Sequence, residues 1–207
     1  MGRSAQSFGR SEKSKKNPPK ILVICEDKKS GKQYIQDAAH HFRVDVVVEV
    51  AHVGKTDPKG IVEEAVKQLK KYDRIFCAID RDTHETWDQA LGLAKREDKI
   101  HVIGSFPCLE FWFILHFNKN RKPYAREGGK SPGECCVVDL KKCKDMDGYA
   151  KGGDGKVFKN LLPNLPAARA NSLQVLQEAE KDNEFNPSTR MHELIDFLEE
   201  LEKEFDN

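Results

Sequence analysis

Lys20-Ile21-Leu22-Val23-Ile24-Cys25-Glu26-Asp27 is the stretch on which the reading of the chain turns. An unbroken apolar run, rich in β-branched residues, stops on two carboxylates, and a basic segment from Lys28 to Lys32 follows. A strand with one wet face alternates apolar and polar residues. An unbroken run instead marks a strand buried on both faces, as in a parallel sheet covered by helices. Ligands of open α/β sheets bind just beyond the carboxyl ends of such strands. The arrangement recurs at Arg74-Ile75-Phe76-Cys77-Ala78-Ile79, which runs into Asp80-Arg81-Asp82. Two core strands that both end in acid are the first indication of function.

Working outward, Ser30 is placed to cap a helix carrying Tyr34, Ile35, Ala38, Ala39 and Phe42 at helical spacing. Val44 to Val50, broken only by Asp45 and Glu49, predicts a second strand. Asp57-Pro58 opens a helix with proline in its favoured first turn, and Ile61, Val62, Ala65, Val66 and Leu69 form its core stripe. Strand 74–79 comes third. Asp82 or Thr83 then caps a helix carrying Trp87, Ala90, Leu91 and Ala94. Ile100 to Ile103 is a short fourth strand, stopped by Gly104-Ser105. The order βαβαβαβ predicts an α/β fold, a Rossmann-like parallel four-stranded sheet with right-handed crossovers and helices on both faces.

Phe106 to Phe117 is the most apolar stretch, with Pro107 suited to the first turn of a short buried helix. Residues 118–136, polar and rich in Gly, Pro and Lys, read as a long loop or insertion. Helical spacing returns around Val157, Phe158, Leu161 and Leu162, and again from Leu165 to Glu180. Asn186-Pro187-Ser188-Thr189 breaks and recaps the chain before a last amphipathic helix through Met191, Leu194, Ile195, Leu198 and Leu201. The expected organisation is a basic arm over 1–19, an α/β core over 20–117, and a loop insertion with a helical region over 118–207.

The 207 residues suit one domain. A net charge of +1 excludes a strong attraction of the whole molecule to nucleic acid, so any attraction comes from local patches. Residues 1–19 are such a patch, with Arg3, Arg10, Lys13, Lys15 and Lys16 against the single acid Glu12. They read as a flexible arm, either a nucleic-acid-binding tail or a solubilising one. No apolar run reaches the length of a membrane span, no signal-peptide core precedes the first strand, and Gln6 does not fit a myristoylation motif. Cys25, Cys77 and Cys108 fall in apolar segments, and Cys135, Cys136 and Cys143 lack paired CxxC spacing. This usage predicts buried thiols rather than disulfides or zinc, and a cytoplasmic protein.

If the first and third strands are neighbours, Glu26, Asp80 and Asp82 converge at one sheet edge. Alternation puts Asp80 and Asp82 on one side and Arg81 on the other. Close carboxylates repel, and a hard divalent cation, Mg²⁺ or Mn²⁺, relieves that repulsion through oxygen ligation. Glu26 is then a ligand or the general base, and Asp80, Asp82 and Asp27 are ligands; Asp82 reads equally as a helix cap. Glu110, among apolar neighbours, is expected to approach the metal, bond a basic partner, or sit in a helix's first turn. His84 is placed as an acid or a phosphate contact, whereas His116 reads as a buried structural histidine. Lys28, Lys29 and Lys32 begin the first helix, where they hold a phosphate or simply face solvent. No GxxxxGK[ST] and no GxGxxG supports nucleotide binding, so an ATPase or a dehydrogenase is not expected.

Glu26 at the end of the first strand and Asp80-Arg81-Asp82 at the end of the third resemble the Toprim domain of primases, topoisomerases and overcoming-lysogenization-defect nucleases. From about Lys20 the whole chain resembles the RloB family of prokaryotic Toprim-like proteins. The matching pieces are residues 21–26, Asp80-Arg81-Asp82-Thr83-His84, the apolar block from Phe106 to Phe117, and Asn186-Pro187-Ser188-Thr189 with Met191-His192. The resemblance implies a Toprim-like core, a divalent metal and a role in antiphage defence. Where the family pattern has Gly and further acids after the glutamate, this chain has Asp27, Lys28, Lys29, Ser30 and Gly31, and Phe106 stands for the family's Asn. The expected function is a Mg²⁺-dependent nuclease-type phosphodiesterase acting on DNA or RNA, with Glu26, His84, Lys28 and Lys32 at the reacting phosphate. The alternative is a non-catalytic Toprim-like subunit acting through a partner defence protein.

Overall fold

A computed structural model describes residues 18–81, 84–153 and 155–205. Most of the basic arm and the ligand expected at Asp82 therefore lie outside the described residues. Five strands form one sheet in the order β2-β1-β3-β4-β5: β1 (Ile21–Cys25), β2 (Val48–Ala51), β3 (Arg74–Asp80), β4 (Ile100–Phe106) and β5 (Ser188–Thr189). The first four are mutually parallel, and β5 runs antiparallel on the β4 edge. Helices α1 (Ser30–His41), α2 (Pro58–Gln68) and α3 (Trp87–Ala94) make the crossovers. Helices α4 (Glu110–Ile114), α5 (Pro132–Leu140), α6 (Val157–Leu161), α7 (Leu165–Asp182) and α8 (Met191–Phe205) follow.

Strand alternation divides the core into two layers. Ile21, Val23 and Cys25 of β1 and Phe76 of β3 pack with α1, α4 and α8, while Leu22, Ile24, Ile75, Cys77 and Ile79 pack with α2 and α3. This is why β1 carries no polar residue: both of its faces are covered. The larger layer is anchored by α4, where Phe111, Trp112 and Phe113 are fully buried and Trp112 Nε1 donates to Tyr34 Oη at 2.7 Å. Asp57 caps α2 by accepting from Gly60 N at 2.8 Å, as its position before Pro58 predicts.

The structure corrects several expectations. The sheet has a fifth strand, in which Ser105 pairs with Thr189 and Phe106 with Ser188. Gly104-Ser105 therefore lie within β4 instead of ending it. Residues 44–47 form turns, so β2 begins at Val48. Pro107 precedes α4 in a cis peptide, outside the helix. Residues 132–136 are helical: Ser131 and Glu134 make a reciprocal capping box and Pro132 opens α5. Ser30 lies inside α1, whose start is held by Asp27, accepting from Lys29 N and Gly31 N at 2.8 Å each.

Candidate active site

The pairing of β1 with β3 aligns Cys25 with Ala78, and Glu26 N donates to Ala78 O at 3.0 Å. Glu26 is thereby carried beside the end of β3. Its Oε2 accepts from Asp80 N at 2.8 Å, and its Oε1 lies 3.5 Å from His84 Nε2. Asp80 Oδ1 accepts from Leu109 N at 2.9 Å, which ties the end of β3 to the turn entering α4. The next residue, Glu110, is 1% exposed although it is charged. Its Oε1 accepts from Tyr149 Oη at 2.8 Å and pairs with Lys151 Nζ at 3.2 Å, while Oε2 is buried with no hydrogen-bond partner.

These groups border a cleft of about 420 Å³. Glu26, Asp80, His84 and Lys151 line it together with Lys130 and the first turn of α5. The electrostatics are those of crowded carboxylates. Burial, then the charges of Glu26 and Glu110, push Asp80 well above the usual carboxylate range. Burial also raises Glu26, opposed by the Asp80 amide and by His84. For Lys151 burial disfavours the charge, but Glu110, Cys108 and Asp80 outweigh it and the ammonium is held above its ordinary value.

Glu26 turns Oε1 toward His84, Asp80 gives Oδ1 to Leu109 N, and Glu110 keeps the orphaned Oε2. An all-oxygen donor set with a partnerless buried oxygen suits a hard divalent cation. Among the described residues no three His, Cys, Asp or Glu side chains already stand in metal-holding geometry. Lys151 supplies the positive charge nearest Glu110.

Of the residues expected from sequence, the structure brings Glu26, Asp80 and His84 into the cleft and sets Glu110 directly behind them. Asp27 borders the site but spends both oxygens on the start of α1. Lys28 and Lys32 do not line the cleft. Sequence reasoning missed Lys151 and Tyr149. The available signal was Lys151 beside Gly152-Gly153; Gly152 adopts φ +75° and donates to Ser30 Oγ at 2.9 Å, folding the loop onto α1. His116 is buried as expected, with Nδ1 donating to Trp112 O at 3.0 Å.

Fold and site define a doubly wound α/β protein with an acidic cleft at the carboxyl end of its sheet. The model of the RloB-like protein family matches residues 21–198, and the chain belongs to that family. No curated protein and no solved structure matches it.

Proposed function

We propose that the chain is a metal-dependent, Toprim-like phosphodiesterase that cuts DNA or RNA in prokaryotic defence against phage. The observation that carries the reading is that Glu26 and Asp80 line a cleft shared with Lys130 and Lys151, with Glu110 and its orphaned oxygen close to Asp80. The defence setting rests on the family resemblance. Glu26, Asp80 and Glu110 are the residues that would hold Mg²⁺ or Mn²⁺. A divalent cation bound there would supply charge neutralisation at the phosphate and activation of the attacking water.

The chain's own groups do the rest. Lys151 and Lys130, which line the cleft, attract the phosphate. Glu26, raised by burial, is suited to take the proton of the attacking water. His84, 3.5 Å away, is placed to relay a proton to the departing oxygen.

A second reading has one observation in its favour. Lys151 already balances the carboxylates, as it would in a site that binds phosphate without cutting it. End-labelled single strands of DNA and of RNA, incubated with Mn²⁺ and with Mg²⁺, separate the two. The enzyme reading predicts cleavage by wild type and a loss of about a thousandfold or more in Asp80→Asn. Binding without cleavage, under all four conditions, favours the non-catalytic reading.

A further inference from the structure

A second cavity, about 550 Å³, lies across the sheet edge from the acidic cleft. Arg81 links the two. Strand alternation sends Asp80 toward α4 and turns Arg81 to the opposite face of the sheet, where its guanidinium lies 5.6 Å from the Trp87 ring, 5.4 Å from Phe106 and 5.5 Å from Phe185. The three rings come from α3, β4 and the segment before β5, so the pocket exists only because β5 joins the edge. Gly104 makes room for it: a Cβ there would stand 2.5 Å from the Trp87 indole, so only glycine lets the ring lie on β4. Asp88, Lys95, Arg190 and Glu193 add charged groups to its lining.

We infer that this cavity binds a nucleobase of the strand whose phosphate lies in the acidic cleft. This rests on the proposed function for the choice of ligand, and on the pocket's chemistry for the mode of binding. Aromatic faces and a guanidinium plane are the two surfaces on which unstacked bases lie, and the stacking is indifferent to base identity. The volume falls in the range of small-ligand sites. Arg81 follows Asp80 in the chain, so a base in this pocket and a phosphate in the cleft belong to adjacent parts of one strand. Duplex ends and paired bases do not fit such an arrangement, and the substrate is therefore single-stranded at this position.

Tryptophan fluorescence tests this without cleavage. The chain has two tryptophans, and Trp112 is fully buried, so a ligand-dependent change reports Trp87. In EDTA, a single-stranded oligonucleotide is expected to quench Trp87 and to bind about tenfold more tightly than an abasic strand of equal length. Phe185→Ala should erase that difference while leaving the abasic strand's affinity unchanged, and Phe185→Tyr should restore it. Equal binding of the two strands by wild type, or an equal loss for both in Phe185→Ala, would overturn the inference. Quenching by adenosine monophosphate but not by the strand would also overturn it, assigning the base pocket to a free nucleotide. Because metal is absent throughout, failure of cleavage leaves this result standing, and failure here leaves the acidic cleft untouched.

Discussion

At the scale of residues, a few buried polar side chains separate structure from chemistry. Asp80 has a raised folded pKa, so its contribution to stability is complete below the ordinary carboxylate value and is lost as pH rises through the raised one. Burying this ionisable group costs stability, and an Asn side chain keeps an oxygen to accept from Leu109 N, so Asp80→Asn is expected to stay folded, which a denaturant titration checks. His116 has the opposite sign and no part in the cleft. Burial lowers it to about 4 against 6.5, outweighing the hydrogen bond from Nδ1 to Trp112 O, which favours the protonated ring. Its folded form refuses a proton that the unfolded chain accepts, so the stability it contributes is present above pH 6.5 and lost as pH falls from 6.5 toward 4. The loss is of order 3 kcal/mol. Urea titrations at pH 7 and pH 4.5 should show His116→Gln losing less stability on acidification than wild type. An unchanged difference would contradict the assignment.

Among the elements, β1 and β3 were the most legible in the sequence. Their apolar runs have no polar positions because helices cover both faces, and their acidic ends follow from where the sheet stops. Asp57-Pro58 announced α2 for an equally local reason. β5 was not legible: two residues, Ser188 and Thr189, are too short for a period, and they pair only because β4 offers an open edge. Lys151 stood out only as the neighbour of Gly152-Gly153, and its pairing with Glu110 was not legible because a loop distant in the chain brings the two together. The start of α5 was readable in principle, because Ser131-Pro132-Gly133-Glu134 is a capping-box pattern, but the polar composition around it masked the signal. The box makes a prediction at this scale. Ser131→Ala should cost about 1 kcal/mol, measured by denaturant unfolding, whereas Phe113→Ala in the buried α4 should cost about 3–5 kcal/mol. No measurable cost for Ser131→Ala would mean that α5 is held by something other than its cap.

Over the whole molecule, an almost balanced charge means that binding must be local, and the acidic cleft and the Arg81 cavity are two of the described cavities with room for a ligand. None of the described helices is long and apolar enough to cross a membrane. The RloB-like match spans both the strands and the helices that follow, in keeping with a cleft built from β1, β3, α4, α5 and the loop carrying Lys151. The proposed activity requires this cleft to hold a divalent cation on Glu26, Asp80 and Glu110. Calorimetric titration of the metal-free protein with Mn²⁺ at neutral pH tests it most directly. The prediction is saturable binding by wild type, abolished in Asp80→Asn and weakened at least tenfold in Glu110→Gln. Equal binding by all three proteins, or none by wild type, would contradict it.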